Sequence, residues 1–227
     1  MDRNSPLRLP CFPYHVTLRS QHTDWFSLPT KEAWAIFGNI IEKITISYQT
    51  RVHVLVLMSN HLHALISTPR RNLNDVMLYL FKESYRSMNQ TPESINQVSR
   101  VPYTSSAITN PFYYGLAYKY VFRNPIKAGM ARQVENYPYS TIRAEFFGDP
   151  LPFSLEASRF DFHLPSGLNL KARLEWLNRP FALEEEGFVR AGLHRETFEI
   201  KTRQDDPANA AYVFGSRWKF MKSGRPL

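Results

Sequence analysis

Four residues of this chain have types and spacings that suit phosphoryl chemistry. His61 and His63, in Asn60-His61-Leu62-His63, stand two apart. On a strand, alternate side chains share a face, so both imidazoles can address one ion while Leu62 turns to the opposite side. Imidazole nitrogen suits zinc, manganese or iron, and magnesium when oxygen ligands complete the shell. Tyr120 and Asn124, in Tyr120-Val121-Phe122-Arg123-Asn124-Pro125, stand four apart, one turn of a helix, so they too share a face. A phenol, with a reference pKa of about 10, is a weak nucleophile at neutral pH. It can still attack phosphorus if a cation polarises the phosphate and the phenol lies in line, which leaves a covalent phosphotyrosine. Each half alone is commonplace. Most His-x-His pairs on strands are surface or core residues, and aromatic-rich helices usually just pack. Together, the two faces would hold an ion, a nucleophile and a phosphodiester.

The elements that must carry these residues can be read from periodicity. Residues 14–19 (Tyr-His-Val-Thr-Leu-Arg) alternate and form a first strand. Thr30 is placed to cap a helix over residues 31–48, with Trp34, Phe37, Ile41, Ile44 and Tyr48 as its apolar stripe. Residues 52–58 read as a buried strand, Ser59-Asn60 as a tight turn, and residues 61–67 as the returning strand. A second helix spans residues 74–89, with Met77, Leu80, Phe81, Ser84 and Met88 on one side. Residues 90–100 are polar loop and residues 101–108 a last strand. Asn110-Pro111 then starts the helix that carries Tyr120, with an amide N-cap and proline in the first turn. Pro125 disfavours helical geometry in the residue before it, so this helix is expected to end near Asn124.

The order β-α-β-β-α-β, then a helix, is the split β-α-β, ferredoxin-like arrangement of an α+β fold. It predicts an antiparallel sheet with helices on one face and the other face free for a ligand. The texture changes after Gly148-Asp149-Pro150. Residues 151–168 lack periodicity, residues 170–177 and 182–196 read as two short helices, and residues 201–227 are basic and poorly patterned. This divides the chain into residues 1–150 and a mostly helical extension, residues 151–227, that is a candidate for binding DNA.

The chain has 227 residues, a formal net charge of +8 and 14% aromatic residues, a balance that favours nucleic acid as a partner. A 43% hydrophobic content supports a globular core. No apolar run reaches the roughly 18 residues of a membrane span. Residues 1–10 lack the apolar core of a secretion signal. The single cysteine, Cys11, excludes an intrachain disulfide, so a cytoplasmic location is expected.

Helical spacing sorts the tyrosines of the last helix. Tyr113, Ala117, Tyr120 and Asn124 share one stripe, and Tyr114, Tyr118 and Val121 share another that belongs to the core. Of the remaining histidines, His53 is expected on a sheet face with a local hydrogen bond. His15, His22, His163 and His194 lack a spacing partner and read as structural or surface residues.

The stretches Met58-Ser59-Asn60-His61-Leu62-His63 and Tyr120-Val121-Phe122-Arg123-Asn124-Pro125-Ile126-Lys127-Ala128-Gly129-Met130 resemble those of single-tyrosine HUH transposases, most of all the REP-associated tyrosine transposases. Residues 14–19, Tyr85-Arg86-Ser87-Met88-Asn89 and residues 135–141 fall in the family's order and spacing, so the resemblance covers about residues 12–145. The chain departs from the pattern at Ser20, where the family commonly has glycine, and at Tyr139, where it often has tryptophan. Val101-Pro102-Tyr103 stands where a tryptophan-containing strand is usual, and Gly224-Arg225-Pro226 is weakly like a minor-groove arm. The resemblance implies an HUH endonuclease fold with residues 1–150 as its catalytic domain. It implies a magnesium or manganese ion on His61, His63 and Asn124, with Tyr120 as nucleophile. It also implies cleavage of single-stranded or hairpin DNA, of REP type, with a 5′-phosphotyrosine intermediate and strand transfer. A basic track of Arg19, Arg70, Arg71, Lys82, Arg86, Lys119, Arg123 and Lys127 is available for the strand; Arg19 and Arg123, beside the motifs, are the first candidates for DNA contact. The sequence leaves open a monomer or a homodimer. A non-catalytic DNA-binding or regulatory relative is a second reading. A third is a two-histidine phosphodiesterase, suggested by His15-Val16-Thr17. That chemistry needs a second His-x-Thr or His-x-Ser pair, which His63-Ala64-Leu65 does not supply.

Overall fold

The computed structural model describes residues 9–10, 12–19, 26, 28–89, 103–161, 164, 170–182 and 184–200. Four strands form one antiparallel sheet: β1 (Tyr14–Arg19), β2 (Arg51–Leu57), β3 (His61–Ser67) and β4 (Tyr103–Ala107), in the order β2-β3-β1-β4. Helix α1 (Thr30–Tyr48) joins β1 to β2, and α2 (Leu73–Asn89) joins β3 to β4. The fold is therefore the α+β split β-α-β arrangement read from the pattern. Among the described residues, no helix is long and apolar enough to cross a membrane.

One face of the sheet packs on α1 and α2. Tyr14, Val16, Leu18, Leu62, Ala64 and Ile66 meet Phe37, Ile41 and Ile44 of α1 and Met77, Leu80, Phe81 and Met88 of α2 in one core. Helix α2 buries the stripe that its period-3.6 spacing marks out, and α1 buries Phe37, Ile41 and Ile44 of its own while Trp34 and Tyr48 are half-buried. Thr30 lies inside α1; the N-cap position is Pro29, and no side chain caps this end.

The second face is not free, which corrects the expected two-layer arrangement. Helix α3 (Pro111–Lys127), α4 (Ile142–Phe147), α5 (Leu170–Asn178) and α6 (Glu185–Leu193) build a third layer on it. Val54, Val56 and Leu65 of the sheet join Tyr114, Tyr118, Phe122, Leu177, Val189 and Phe198 in a second core. A bulge between Val52 and Val54 inserts one residue into β2, which turns Val54 and Val56 toward this layer and Leu55 and Leu57 toward the first. The chain beyond residue 150 is bound into both cores, through Phe153 in the first and Phe160, Leu164, Leu177, Val189, Leu193 and Phe198 in the second.

Chain beyond the sheet covers the β2 edge and the end of β4 at Ala107, which blocks strand addition there. Leu57 N–H donates to Tyr139 O at 2.9 Å, Thr141 N–H to Leu55 O at 2.9 Å and Glu156 N–H to Val52 O at 2.9 Å, all along β2. At β4, Ala107 N–H donates to Glu196 O and Phe198 N–H to Ala107 O, each at 2.8 Å.

Helix α3 starts as expected, with Asn110 Oδ1 accepting from Phe112 N–H at 2.8 Å and Pro111 in the first turn. It does not stop at Asn124 but runs through Pro125 to Lys127. Pro125 lacks the N–H that would reach Val121 O. The Asn124 amide lies nearby, its Nδ2 3.0 Å from Tyr120 O and 3.5 Å from Val121 O. Pro125 is itself buried, so packing carries the helix past a residue that local preference would place at its end. Ser20, His22, residues 90–102, His163 and residues 201–227, Gly224-Arg225-Pro226 among them, lie outside the described residues.

Candidate active site

The strand register places the polar residues of β1, β3 and β4 on one patch of the second face. Thr17 pairs with His63 and Arg19 with His61 on one side of β1; His15 pairs with Ser106 and Thr17 with Thr104 on the other. Tyr14, Val16 and Leu18 alternate with these residues and enter the first core. The α3 layer covers the apolar end of this face and leaves a cavity of about 240 Å³ over the polar end. Its walls come from five elements: His15, Thr17 and Arg19 of β1, His61 and His63 of β3, Thr104 of β4, Tyr120, Asn124 and Lys127 of α3, and Arg190, Leu193 and His194 at the end of α6.

The two imidazoles converge, with His61 Nε2 and His63 Nε2 3.0 Å apart. Asn60 Oδ1 lies 2.6 Å from His61 Nδ1. A carboxamide oxygen only accepts, so Nδ1 carries the proton and Nε2 keeps its lone pair. Burial lowers the pKa of His61 to about 4, with the Arg19 guanidinium adding to the effect. Burial likewise holds His63 well below the ordinary imidazole range, with smaller contributions from His15, His61, Arg19 and His194. Both rings are thus neutral near pH 7, the form that binds metal.

These residues fit a small divalent ion. Two nitrogens about 2.1 Å from one centre and at right angles lie about 3.0 Å apart, the separation found here. Asn124 Nδ2 is engaged by its own helix, which identifies the other amide atom as the oxygen. Oδ1 has no hydrogen-bond partner among the described residues, and Asn124 lines the cavity. Among the described residues, no group of three His, Cys, Asp or Glu side chains is placed to hold an ion. The donors available to an ion are two imidazoles and one amide oxygen, a set that magnesium or manganese could use if water or substrate oxygens completed the shell.

Tyr120 meets the histidines edge-on, its ring 6.1 Å from that of His63 at 90° and 6.2 Å from that of His15 at 83°. Burial raises the pKa of its phenol and Glu186 adds to the rise, while the guanidiniums of Arg190 and Arg19 oppose it. The phenol is therefore protonated at neutral pH, and to act as a nucleophile it would have to pass that proton on. None of the described lining residues is a carboxylate, whereas Arg19, Lys127 and Arg190 are cationic. Lys127 Nζ pairs with Glu186 at 2.5 Å, which ties α3 to α6 beside the cavity.

His61, His63, Tyr120 and Asn124 are brought together, with Arg19 at the rim. Arg123 is not: its Nη1 donates to Leu177 O at 2.9 Å and Asn178 O at 2.6 Å and satisfies the C-terminal carbonyls of α5. Lys119, another member of the basic track, is buried, its Nζ lying 5.2 Å from the Trp176 ring and 4.9 Å from the Phe181 ring. Lys82 and Arg86 are on α2, on the opposite face of the sheet. His53 sits where expected, bonded to Glu156 O at 2.7 Å and Ser67 Oγ at 2.8 Å, away from the cavity. Sequence reasoning raised His15 and Thr17 only for a different chemistry and did not place them, Thr104, Arg190, Leu193 or His194 at this site. The alternation of His15, Thr17 and Arg19 was a usable signal; the α6 residues gave none, because tertiary packing alone brings them to the cavity.

No family model matches the chain, and no curated protein does. A solved structure of a REP-associated tyrosine transposase bound to a REP hairpin is similar, with a TM-score of 0.53 at 16% identity over 70% of this chain and 93% of that one. At that identity the likeness is one of fold alone.

Proposed function

We propose that this chain is a metal-dependent single-stranded DNA endonuclease and strand transferase that works through a 5′-phosphotyrosine on Tyr120, on hairpin or REP-type DNA. The observation that carries the reading is the meeting of Tyr120, the His61–His63 nitrogen pair and Asn124 in one cavity free of carboxylates among its described lining residues. The fold shared with a tyrosine transposase bound to a REP hairpin supports it. Residues 1–150 carry the histidine pair and the tyrosine in this reading, and residues 151–227 are an extension that adds Arg190 to the cavity wall and contacts DNA, working in the cytoplasm.

Each residue has a task. His61, His63 and the oxygen of Asn124 would hold a magnesium or manganese ion, which would supply the positive charge that polarises a phosphate. Arg19 and Arg190 attract the phosphate backbone. Tyr120 loses its proton, its oxygen bonds to phosphorus, and the P–O3′ bond breaks. The leaving 3′-oxygen takes up a proton, so none is gained or lost overall. Attack by a 3′-hydroxyl on the phosphotyrosine reverses the step and transfers the strand. The two-histidine phosphodiesterase reading still lacks its second hydroxyl, since Ala64 and Leu65 follow His63.

The test is incubation with labelled hairpin DNA and manganese, followed by denaturing electrophoresis. The reading expects a protein–DNA adduct that chelator abolishes, and none from Tyr120→Phe. His61→Ala should lose cleavage and keep most hairpin binding. An adduct that survives excess chelator would refute the metal role, and one formed by Tyr120→Phe would refute the nucleophile.

A further inference from the structure

His63 can carry its proton on either ring nitrogen, and His15 is placed to decide which. A neutral imidazole donates from one nitrogen and accepts at the other. His63 Nδ1 faces two atoms: Thr17 Oγ1 at 3.0 Å and His15 Nε2 at 3.1 Å. The His15 and His63 rings are stacked, with centroids 5.2 Å apart and planes at 23°. A hydroxyl can donate or accept, so Thr17 suits both forms of His63. The imidazole of His15 does not. Its Nε2 is either a bare acceptor for the His63 Nδ1 proton or a donor that forces that proton onto His63 Nε2.

Two arrangements satisfy the chain of contacts. In the first, His15 Nε2–H donates to His63 Nδ1, His63 Nε2–H donates to His61 Nε2 at 3.0 Å, and His61 Nδ1–H donates to Asn60 Oδ1 at 2.6 Å. No ion can then be held, because a proton lies between the two Nε2 atoms. In the second, His63 Nδ1–H donates to His15 Nε2, and both Nε2 atoms of the pair present lone pairs to an ion. The change moves one proton within His63 and one within His15, with no net gain or loss. Nothing holds His15 in one form. Its Nδ1 is buried without a partner among the described residues, and its cross-strand neighbour Ser106 has a hydroxyl in the same state.

We propose that His15 is a positioning residue whose tautomer is coupled to that of His63, so that an ion on His61 and His63 switches both rings from Nε2–H to Nδ1–H. The proposal rests on reading His61 and His63 as a metal pair. It makes His15, which touches no ion, a reporter of the site's occupancy.

Long-range proton–nitrogen correlation spectra of the full chain, labelled with nitrogen-15 at histidine and free of DNA, test this directly. His15→Phe assigns the His15 signals and keeps a ring against His63. Without ion, His15 and His63 should both show a protonated Nε2 and a bare Nδ1. On titration with magnesium or with zinc, both diamagnetic, the two nitrogens of His15 should exchange ranges in step with ion binding at His63. Thr17→Val, which keeps the shape of the side chain, should leave the paired switch in place. A switch at His63 that leaves His15 unchanged would overturn the proposal, as would a protonated Nδ1 on His63 in the ion-free protein. If neither His61 nor His63 responds to magnesium, zinc or manganese, the metal reading falls and the proposal with it.

Discussion

Two glycines of α6 should answer the same substitution with opposite signs. This helix brings Arg190, Leu193 and His194 to the cavity, so its seating bears on the site as well as on stability. Neither Gly187 nor Gly192 has a positive φ, and alanine is compatible with the backbone at both. A methyl group on Gly187 meets nothing within 4 Å, whereas one on Gly192 would lie 2.5 and 2.7 Å from the Phe198 ring and 3.1 Å from Glu199 O. Phe198 cannot swing clear: it is fully buried, its ring 5.0 Å from that of Tyr113, and its backbone is bonded to β4. Replacing glycine by alanine favours a helix by about 0.5–1 kcal/mol. Forcing a methyl group into a filled core costs about 1–3 kcal/mol. Gly187→Ala should therefore stabilise by roughly 0.5–1 kcal/mol, and Gly192→Ala should destabilise by roughly 0.5–2 kcal/mol. Equilibrium urea unfolding reads both as shifts in midpoint at constant slope. For a chain of this size, each kcal/mol corresponds to about 2–4 °C in Tm. Gly192→Ala should also lower DNA cleavage, because α6 or residues 196–200 must move, while Gly187→Ala should not. A Gly192→Ala protein as stable as the parent would refute the packing of α6 against Phe198.

Three further outcomes follow from side chains outside the metal pair. Tyr118 OH donates to Glu145 Oε1 at 2.5 Å, and Arg173 donates to the same oxygen at 2.8 Å; Tyr118→Phe should cost about 1.5–3 kcal/mol in urea unfolding, as expected for a bond to a charged group. Burial, the largest influence, lowers the pKa of His53 despite its bond to Glu156 O. The unfolded chain therefore binds a proton below about pH 6.5 that the native state resists. Stability should fall as pH drops through that value toward the lowered native pKa, and the fall in Tm should be smaller in His53→Gln. Finally, Arg19→Gln and Arg190→Gln should each reduce the log–log salt dependence of single-strand binding by about 0.7 per lost phosphate contact. Arg123→Gln should leave that slope unchanged and lower Tm, since Arg123 is bonded to the end of α5.

Features with a local period were legible in the sequence. The stripe Met77, Leu80, Phe81, Ser84 and Met88 is buried as its spacing implied, and Leu62 enters the first core while His61 and His63 face the other way. Tyr114 and Tyr118 are core residues, and Tyr120 belongs to the cavity, as the helical sorting expected. Features set by distant packing were not legible. Local preference ended α3 at Asn124, but Pro125 is buried and the helix continues. The second face of the sheet was expected to be open because α3, α5 and α6, although anticipated as helices, are brought onto it by tertiary packing that no local period encodes. His15 was judged alone, and its partner is 48 residues away in β3. Arg123 adjoins the motif in sequence, yet its side chain is committed to α5. Neighbours in sequence were a poor guide to which cations reach the cavity; strand alternation, which picks out Arg19, was a better one.

The central claim is that Tyr120 is the residue that becomes joined to DNA. Protein reacted with single-stranded hairpin DNA and manganese can be denatured, digested with nuclease and protease, and its peptides sequenced by mass spectrometry. The account predicts a nucleotide 5′-phosphate on the peptide that contains Tyr120, and on no other. A nucleotide on Tyr113, Tyr114 or Tyr118 instead, or an adduct on that peptide in Tyr120→Phe, would contradict it.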